Sequence, residues 1–339
     1  MRSIVHDHYG EPREVLQLRN VPGLPAPGVG EVLIRVRFRP IHPGDLIGVR
    51  GLYRSSDNTS DVAPGGARPG FDGTGIVEAM GSGVNAKTKL RPGSRVSFFP
   101  AKWAWGEYVL AQAQFVTPVP DDIPDAVASQ LFVNPLTASM LVRAVEDAGV
   151  DAGNPIILTA AGSSVAKLVM TLAQRKGLSV IGLVRSDAGA ASLQSDFPDA
   201  TIVSTEEEAW LVQVRSAIGR KQVRAVLDPV GGPLAGQLID LICSGGSFIG
   251  YGDLSGQPIP VSPLALPVRG LTMKGVSVGS WASLADTLRA ADVATTIELA
   301  RTAPDLFAVA AEYDLSEISK AVVHAEQPGR TGTVLLTST

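Results

Sequence analysis

Through roughly the first 120 residues the chain is written in short runs where apolar and polar positions alternate. Glu31-Val32-Leu33-Ile34-Arg35-Val36-Arg37-Phe38 is the clearest, and residues 75–80, 95–99 and 106–110 continue the series. A period of two puts one side of each run into a core and the other toward solvent, which predicts β-strands. Pro22-Gly23, Pro27-Gly28 and Arg91-Pro92-Gly93 punctuate them as turns. Many short strands with frequent turns predict a barrel or sandwich. Residues 52–70, rich in Ser, Asp, Asn, Gly and Pro, carry no apolar pattern and read as a mobile loop.

From about residue 125 the rhythm changes. Unbroken apolar runs at 155–159, 179–184, 224–228 and 246–250 alternate with amphipathic stretches such as Val165-Ala166-Lys167-Leu168-Val169-Met170. Strands buried on both faces and joined by helices predict a doubly wound parallel sheet. Residues 271–278 could be its last strand.

Composition narrows the function classes. A chain of 339 residues with 45% hydrophobic and 18% charged residues is an ordinary globular sequence of two domains. Its formal net charge of −4 offers no basic field for nucleic acid. The first eight residues turn polar at once, and no apolar run approaches the ~20 residues of a membrane span. A soluble cytoplasmic protein that engages neither nucleic acid nor membrane is expected. The one cysteine, Cys243, permits no intrachain disulfide and no zinc site of several thiolates, and it reads as a core residue.

After the run ending at Thr159 comes Ala160-Ala161-Gly162-Ser163-Ser164-Val165-Ala166 and then a helical pattern. A strand–turn–helix is the setting of a dinucleotide fingerprint, and its three glycine positions fall here on Ala161, Ser163 and Ala166. All three are small, so backbone N–H groups at the helix start remain open to a pyrophosphate. A tight structural turn would read the same way on the loop alone. About 20 residues on, where an NAD site places an acid, the chain has Arg185 followed by Ser186. A guanidinium suits a 2′-phosphate, so NADP(H) is favoured over NAD.

At this point the sequence resembles, over nearly its whole length, the zinc-independent medium-chain dehydrogenase/reductases. Gly70-Phe71-Asp72-Gly73-Thr74-Gly75-Ile76-Val77 is similar to the superfamily's Gly-His-Glu-Gly-x-Gly-x-Val, with the metal-ligand His replaced by Phe71. His42 lies near the position of the zinc-binding Cys, and the resemblance implies no metal. Within the superfamily the chain is most similar to mitochondrial-type 2-enoyl-thioester reductases. Val133-Asn134-Pro135-Leu136-Thr137-Ala138, Leu227-Asp228-Pro229-Val230-Gly231-Gly232, Gly250-Tyr251-Gly252 and the stretch from Pro43 to Tyr53 carry the likeness. It implies an α/β architecture in which a Rossmann doubly wound parallel sheet (residues 125–300) joins a GroES-like β-barrel domain (1–124 plus 301–339). It also implies a homodimer paired through residues 271–278.

The resemblance implies site residues too. Asn134, Gly162, Ser163, Ser164, Val165, Ala166, Arg185, Ser186, Tyr251, Gly252, Asp253, Leu254, Val276, Ser277 and Val278 fall on its cofactor loops. Tyr53 takes the place of the family's proposed catalytic tyrosine. His42 stands where Asn is usual, Ala166 replaces the last loop glycine, and Gly332 falls near a lysine of some members. The implied reaction is reduction of the carbon–carbon double bond of a 2-enoyl thioester, with Tyr53 as proton or hydrogen-bond donor. His42 could join the proton path or merely hold a turn. Arg50 and Arg54 could favour anionic carriers. Trp105, with Trp103 and Tyr108, could roof the substrate, although core packing suits at least one of them. His6, His8 and His324 are too scattered for a metal and read as surface or barrel-end residues. The alternatives are an NADPH:quinone or enone oxidoreductase and a non-catalytic NADPH-binding protein.

Overall fold

The four unbroken apolar runs of residues 155–250 become strands of one parallel sheet, which two further strands complete. In chain order the six are Pro155–Leu158, Ser179–Val184, Thr201–Ser204, Val223–Asp228, Ile242–Gly250 and Thr272–Gly275. Their spatial order is 3-2-1-4-5-6 and every neighbouring pair is parallel. The order reverses between the first and fourth strands, the switch point beside which doubly wound sheets bind nucleotides. Ile157, Ile181, Leu183, Val203, Val226 and Phe248 form the core against Val214, Leu238 and Ile239 of the covering helices. The structure is a computed structural model that describes the chain except for residues 54–61, 63, 64, 85–87 and 339. It divides into two units, Asn134–Trp281 and a second made of Met1–Val133 with Ala282–Thr339. Among the described residues no helix is long and apolar enough to cross a membrane.

The last strand is shorter than the pattern 271–278 predicts, because it stops at Gly275. Ser277 offers the backbone local alternatives: its hydroxyl accepts from Gly279 N–H at 3.3 Å, and its carbonyl accepts from the Ser280 hydroxyl at 2.8 Å. Such short-range bonds compete with a ladder. Cys243 is half-buried rather than a core residue.

In the second unit the alternating runs form a seven-stranded sheet around the long strand Glu31–Pro40. Its alternation reads as expected: Val32, Ile34 and Val36 are buried, while Arg35 and Arg37 face out. One edge of this strand pairs antiparallel with Gly73–Met80. The other edge is shared, residues 31–35 pairing with Tyr108–Gln112 and residues 38–40 with Thr333–Thr337. Arg39 lies at this junction, fully buried, and its guanidinium donates to the carbonyls of Ala104, Val36, Leu336 and Gly106 and to Ser338 Oγ. A buried cation is tolerable only when its donors are met this fully. Gly70 is obligatory in the neighbouring loop: it has φ +94°, and a Cβ there would lie 2.4 Å from Trp105 Cδ1.

Candidate active site

The second unit gathers its chemistry at the start of one short helix, Pro43–Val49. Pro43 sits at the first helical position, where its missing N–H costs nothing. His42 is the N-cap residue, in extended conformation, and its backbone N–H donates to Asp45 Oδ2 at 2.9 Å. Its ring Nε2 lies 3.2 Å from both carboxylate oxygens of Asp72, on the loop entering the strand Gly73–Met80. His42, Asp45 and Asp72 are all buried, at 5%, 3% and 2% exposure.

Two opposed forces act on His42. Burial, the larger single effect, favours neutral imidazole, whereas the charge and hydrogen bond of Asp72, helped by the charge of Asp45, favour imidazolium. The second group prevails together, so the His42 pKa is raised despite the opposing charge of Arg330. Asp45 is governed by burial, which lifts its carboxyl from 3.8 to about 7 against the pull of His42. Its Oδ1 has no hydrogen-bond partner.

Tyr53 leans on the same helix. Its hydroxyl lies 3.1 Å from where a Cβ on Gly44 would stand, and its ring carbons 3.7 and 3.8 Å from one on Gly48. Two glycines four residues apart share a helix face, so together they form a shallow seat for the phenol. The side chain is 64% exposed. Burial of its hydroxyl end, then the nearby charge of Asp45, raise its pKa, so the phenol stays protonated at neutral pH.

The other residues expected near substrate fare differently. Trp105 corrects the expectation of a substrate roof: it is 0% exposed, packs with Ile4, Leu46 and Val334, and donates its indole N–H to Pro40 O at 3.3 Å. An indole whose N–H finds a backbone acceptor can be buried at no polar cost. Trp103, two residues earlier, is 43% exposed. Arg50 is already matched by Glu11 at 3.0 Å and Glu326 at 2.6 Å, so it holds these segments together instead of presenting a spare charge. Arg54 lies outside the described residues. His6 is not a surface residue but is 3% exposed, with Nδ1 3.0 Å from His8 O; His324 meets the Tyr313 hydroxyl at 3.1 Å.

In the Asn134–Trp281 unit the loop expected to meet phosphate starts from Ala160, held at φ +47°, an uncommon conformation for a residue with a Cβ. Ser163 caps the helix Ser164–Arg175, its Oγ accepting the Ala166 N–H at 3.3 Å. Ala161 and Ala166 are fully buried, so small side chains serve here where glycine is usual. A Cβ on Gly182 of the next strand would stand only 2.9 Å from that of Ala161. Arg185 is exposed at the end of the strand Ser179–Val184, and Ser186 caps the following helix, accepting from Gly189 N–H at 3.2 Å. Asn134 is the second residue of the helix Val133–Asp147. Tyr251 begins the segment after the strand Ile242–Gly250, followed by Gly252, Asp253 and the 56%-exposed Leu254. Val276 N–H donates to Gly250 O at 2.9 Å, which ties the segment with Ser277 and Val278 to the same strand end.

The Tyr251 hydroxyl is buried beside Ser163, yet it makes no hydrogen bond of good geometry. An orphaned donor next to a helix N-terminus and a loop of small residues suits an anionic ligand such as a dinucleotide pyrophosphate. Two surface depressions, of about 520 and 510 Å³, lie elsewhere on the chain; neither is lined by phosphate-loop or His42-cluster residues.

Sequence reasoning missed three groups. Asp72 was visible only as the carboxylate inside the Gly70–Val77 segment, and nothing local says that it meets His42, 30 residues away. Asp45 stood unremarked three residues after His42. Thr159 donates its hydroxyl to the buried Asp228, whose other oxygen accepts Gly231 N–H at 2.7 Å. These two residues follow the paired Leu158 and Leu227 on adjacent strands, so sheet register was the signal that could have found them.

Known proteins resemble this chain over most of its length. Residues 28–121 match the alcohol dehydrogenase GroES-like domain. The mitochondrial enoyl-[acyl-carrier-protein] reductase of Bos taurus is 31% identical over 288 residues, covering 83% of this chain and 73% of that protein. A mycobacterial protein solved in complex with NADPH superposes with a TM-score of 0.85 at 27% identity over 100% of both chains. A mycobacterial quinone oxidoreductase gives 0.80 at 26%, again over 100% of both. An α/β oxidoreductase fold with a Rossmann sheet and a GroES-like domain is thus defined. The chain belongs to the zinc-independent medium-chain dehydrogenase/reductases, in the branch of the enoyl reductases and quinone oxidoreductases.

Proposed function

We propose that the protein is an NADPH-dependent reductase of the carbon–carbon double bond of 2-enoyl thioesters. The observation that carries this reading is Tyr53, an exposed and protonated phenol seated on Gly44 and Gly48 beside the His42–Asp45–Asp72 cluster. Likeness to enoyl-[acyl-carrier-protein] reductases supports it.

Gly162, Ser163, Ser164, Val165 and Ala166 hold the cofactor pyrophosphate with helix N-terminal N–H groups, and Arg185 with Ser186 takes the 2′-phosphate. Asn134, Tyr251, Gly252, Asp253, Leu254, Val276, Ser277 and Val278 would hold the rest of the cofactor. When bound, NADPH supplies the hydride for the β-carbon. Tyr53 donates a hydrogen bond to the thioester carbonyl oxygen, where negative charge develops as the double bond is lost. In this proposal it also releases a proton toward the α-carbon. Asp72 favours the imidazolium form of His42, whose positive charge opposes that of Asp45, the carboxylate that helps raise the Tyr53 pKa. A homodimer across the outer edge of the Thr272–Gly275 strand, working in the cytoplasm, completes the proposal.

The test is NADPH oxidation at 340 nm with crotonyl-CoA and with a simple benzoquinone, for the wild type and Tyr53→Phe. Thioester turnover that falls at least ~100-fold in the variant is expected, as for loss of a positioned acid. Turnover of the quinone alone, indifferent to Tyr53, would move the protein to the quinone reductases. Tight NADPH binding with neither reaction would make it a non-catalytic binding protein.

A further inference from the structure

We propose that Arg68, Lys102 and Trp103 form a recognition point for phosphate on the acyl carrier, an inference that rests on the enoyl-thioester reading above. Residues 69–71 run beside residues 101–105. Ala101 N–H donates to Phe71 O at 2.8 Å, Ala104 N–H to Gly70 O at 3.2 Å, and Trp105 N–H to Pro69 O at 3.1 Å. This pairing brings Arg68 against Trp103, with the guanidinium carbon 4.8 Å from the ring centroid. Trp103 adopts φ +68°, unfavourable for a bulky side chain and characteristic of sites where function holds the backbone. The result is an outward-facing indole with a cation laid on it.

Arg2, Arg19, Arg35, Arg50 and Arg301 each meet a carboxylate. Arg68 meets none among the described residues, and a second cation, the exposed Lys102, immediately precedes Trp103 in the chain. A guanidinium resting on an aromatic face is held in one orientation and keeps its N–H edges for acceptors. The acceptor geometry that a guanidinium fork fits is carboxylate or phosphate. Thioester carriers bring the second: the phosphopantetheine arm is common to coenzyme A and carrier proteins. The subsite lies four residues before Asp72 in the chain, so a carrier held there adjoins the segment that positions His42. It takes the role that sequence reasoning gave to Arg50, whose charge is spent on Glu11 and Glu326.

The test compares crotonyl-CoA, crotonyl-phosphopantetheine and crotonyl-pantetheine, the last of which lacks phosphate, at saturating NADPH. Arg68→Gln is expected to raise KM about five- to tenfold for the CoA ester. The kcat should not change, and neither should either constant for crotonyl-pantetheine; Arg68→Lys should recover part of the loss. A KM rise shared by crotonyl-phosphopantetheine locates the contact at the pantetheine phosphate, and one confined to the CoA ester locates it at the nucleotide phosphates. An equal rise for the phosphate-free ester, or no rise for the CoA ester, overturns the proposal. If the wild type reduces no thioester, the reading above fails, and calorimetric titration of coenzyme A into the NADPH-loaded protein decides the subsite alone. A Kd weakened five- to tenfold by Arg68→Gln supports it; an unchanged Kd, or no binding to the wild type, refutes it.

Discussion

Replacing Asp45 by Asn should stabilise the protein, and by an amount that grows with pH. Asp45 is buried and its Oδ1 is unpartnered, so ionising it in the folded state is costly. Its carboxyl moves from 3.8 to about 7 on folding, which corresponds to about 4 kcal/mol between the two charge states. The sign follows from the folded value lying above the unfolded one. The folded chain holds the proton longer, so this contribution is complete below pH 3.8 and is lost as pH rises to about 7. Asparagine keeps the shape and can still accept the His42 N–H with its Oδ1, but it does not titrate. Between pH 5.5 and pH 8 the stability of Asp45→Asn relative to the wild type should therefore rise by about 2 kcal/mol. For a unit of this size that is a relative gain of roughly 4–8 °C in the unfolding midpoint. Thermal melts followed by circular dichroism at half-unit pH steps measure it. A difference between variant and wild type that stays flat across this range would show that Asp45 is already neutral or solvated, and the reasoning would fail.

Two further perturbations probe other parts of the structure. Gly70→Ala combines a φ of +94° with a methyl 2.4 Å from Trp105 Cδ1 and 2.7 Å from its backbone N, so chemical denaturation should show a loss of at least ~3 kcal/mol; a loss below ~1 kcal/mol would mean that this loop yields freely. Arg185→Gln should weaken NADPH binding about tenfold or more while leaving NADH unaffected, as read by nucleotide fluorescence titration, and an equal loss for both would remove Arg185 from the 2′-phosphate site.

What the chain reveals of itself depends on how local the cause is. The alternation in Glu31–Pro40 and the apolar runs at Pro155–Leu158 and Ser179–Val184 are local, and they emerge as strands near the predicted bounds. Thr201–Ser204 carries only four residues and no continuous apolar run, so only the sheet that it completes makes it a strand. Trp105 looked like a cleft wall because an aromatic residue beside glycine says nothing about which way it points; the acceptor that lets it turn inward is Pro40 O, 65 residues away. Arg50 looked available because its partners lie 39 and 276 residues away. His42 was noticed for its chemistry, whereas its partner Asp72 needed the fold to bring it close.

The shared edge of the strand Glu31–Pro40 has a consequence for how the molecule is made. On that edge residues 38–40 find their ladder partners in Thr333–Thr337, and Arg39 bonds Leu336 across 297 positions of sequence. At ribosomal speeds of roughly 5–20 residues per second, that interval lasts about 15–60 s. Asn134–Trp281 is one continuous stretch and can close on itself within that time, while the earlier strand waits with part of its edge open to any passing strand. The nascent chain is thus most exposed to mispairing after the Asn134–Trp281 unit has formed, and chaperone demand should peak during synthesis of the stretch from Ala282 onward.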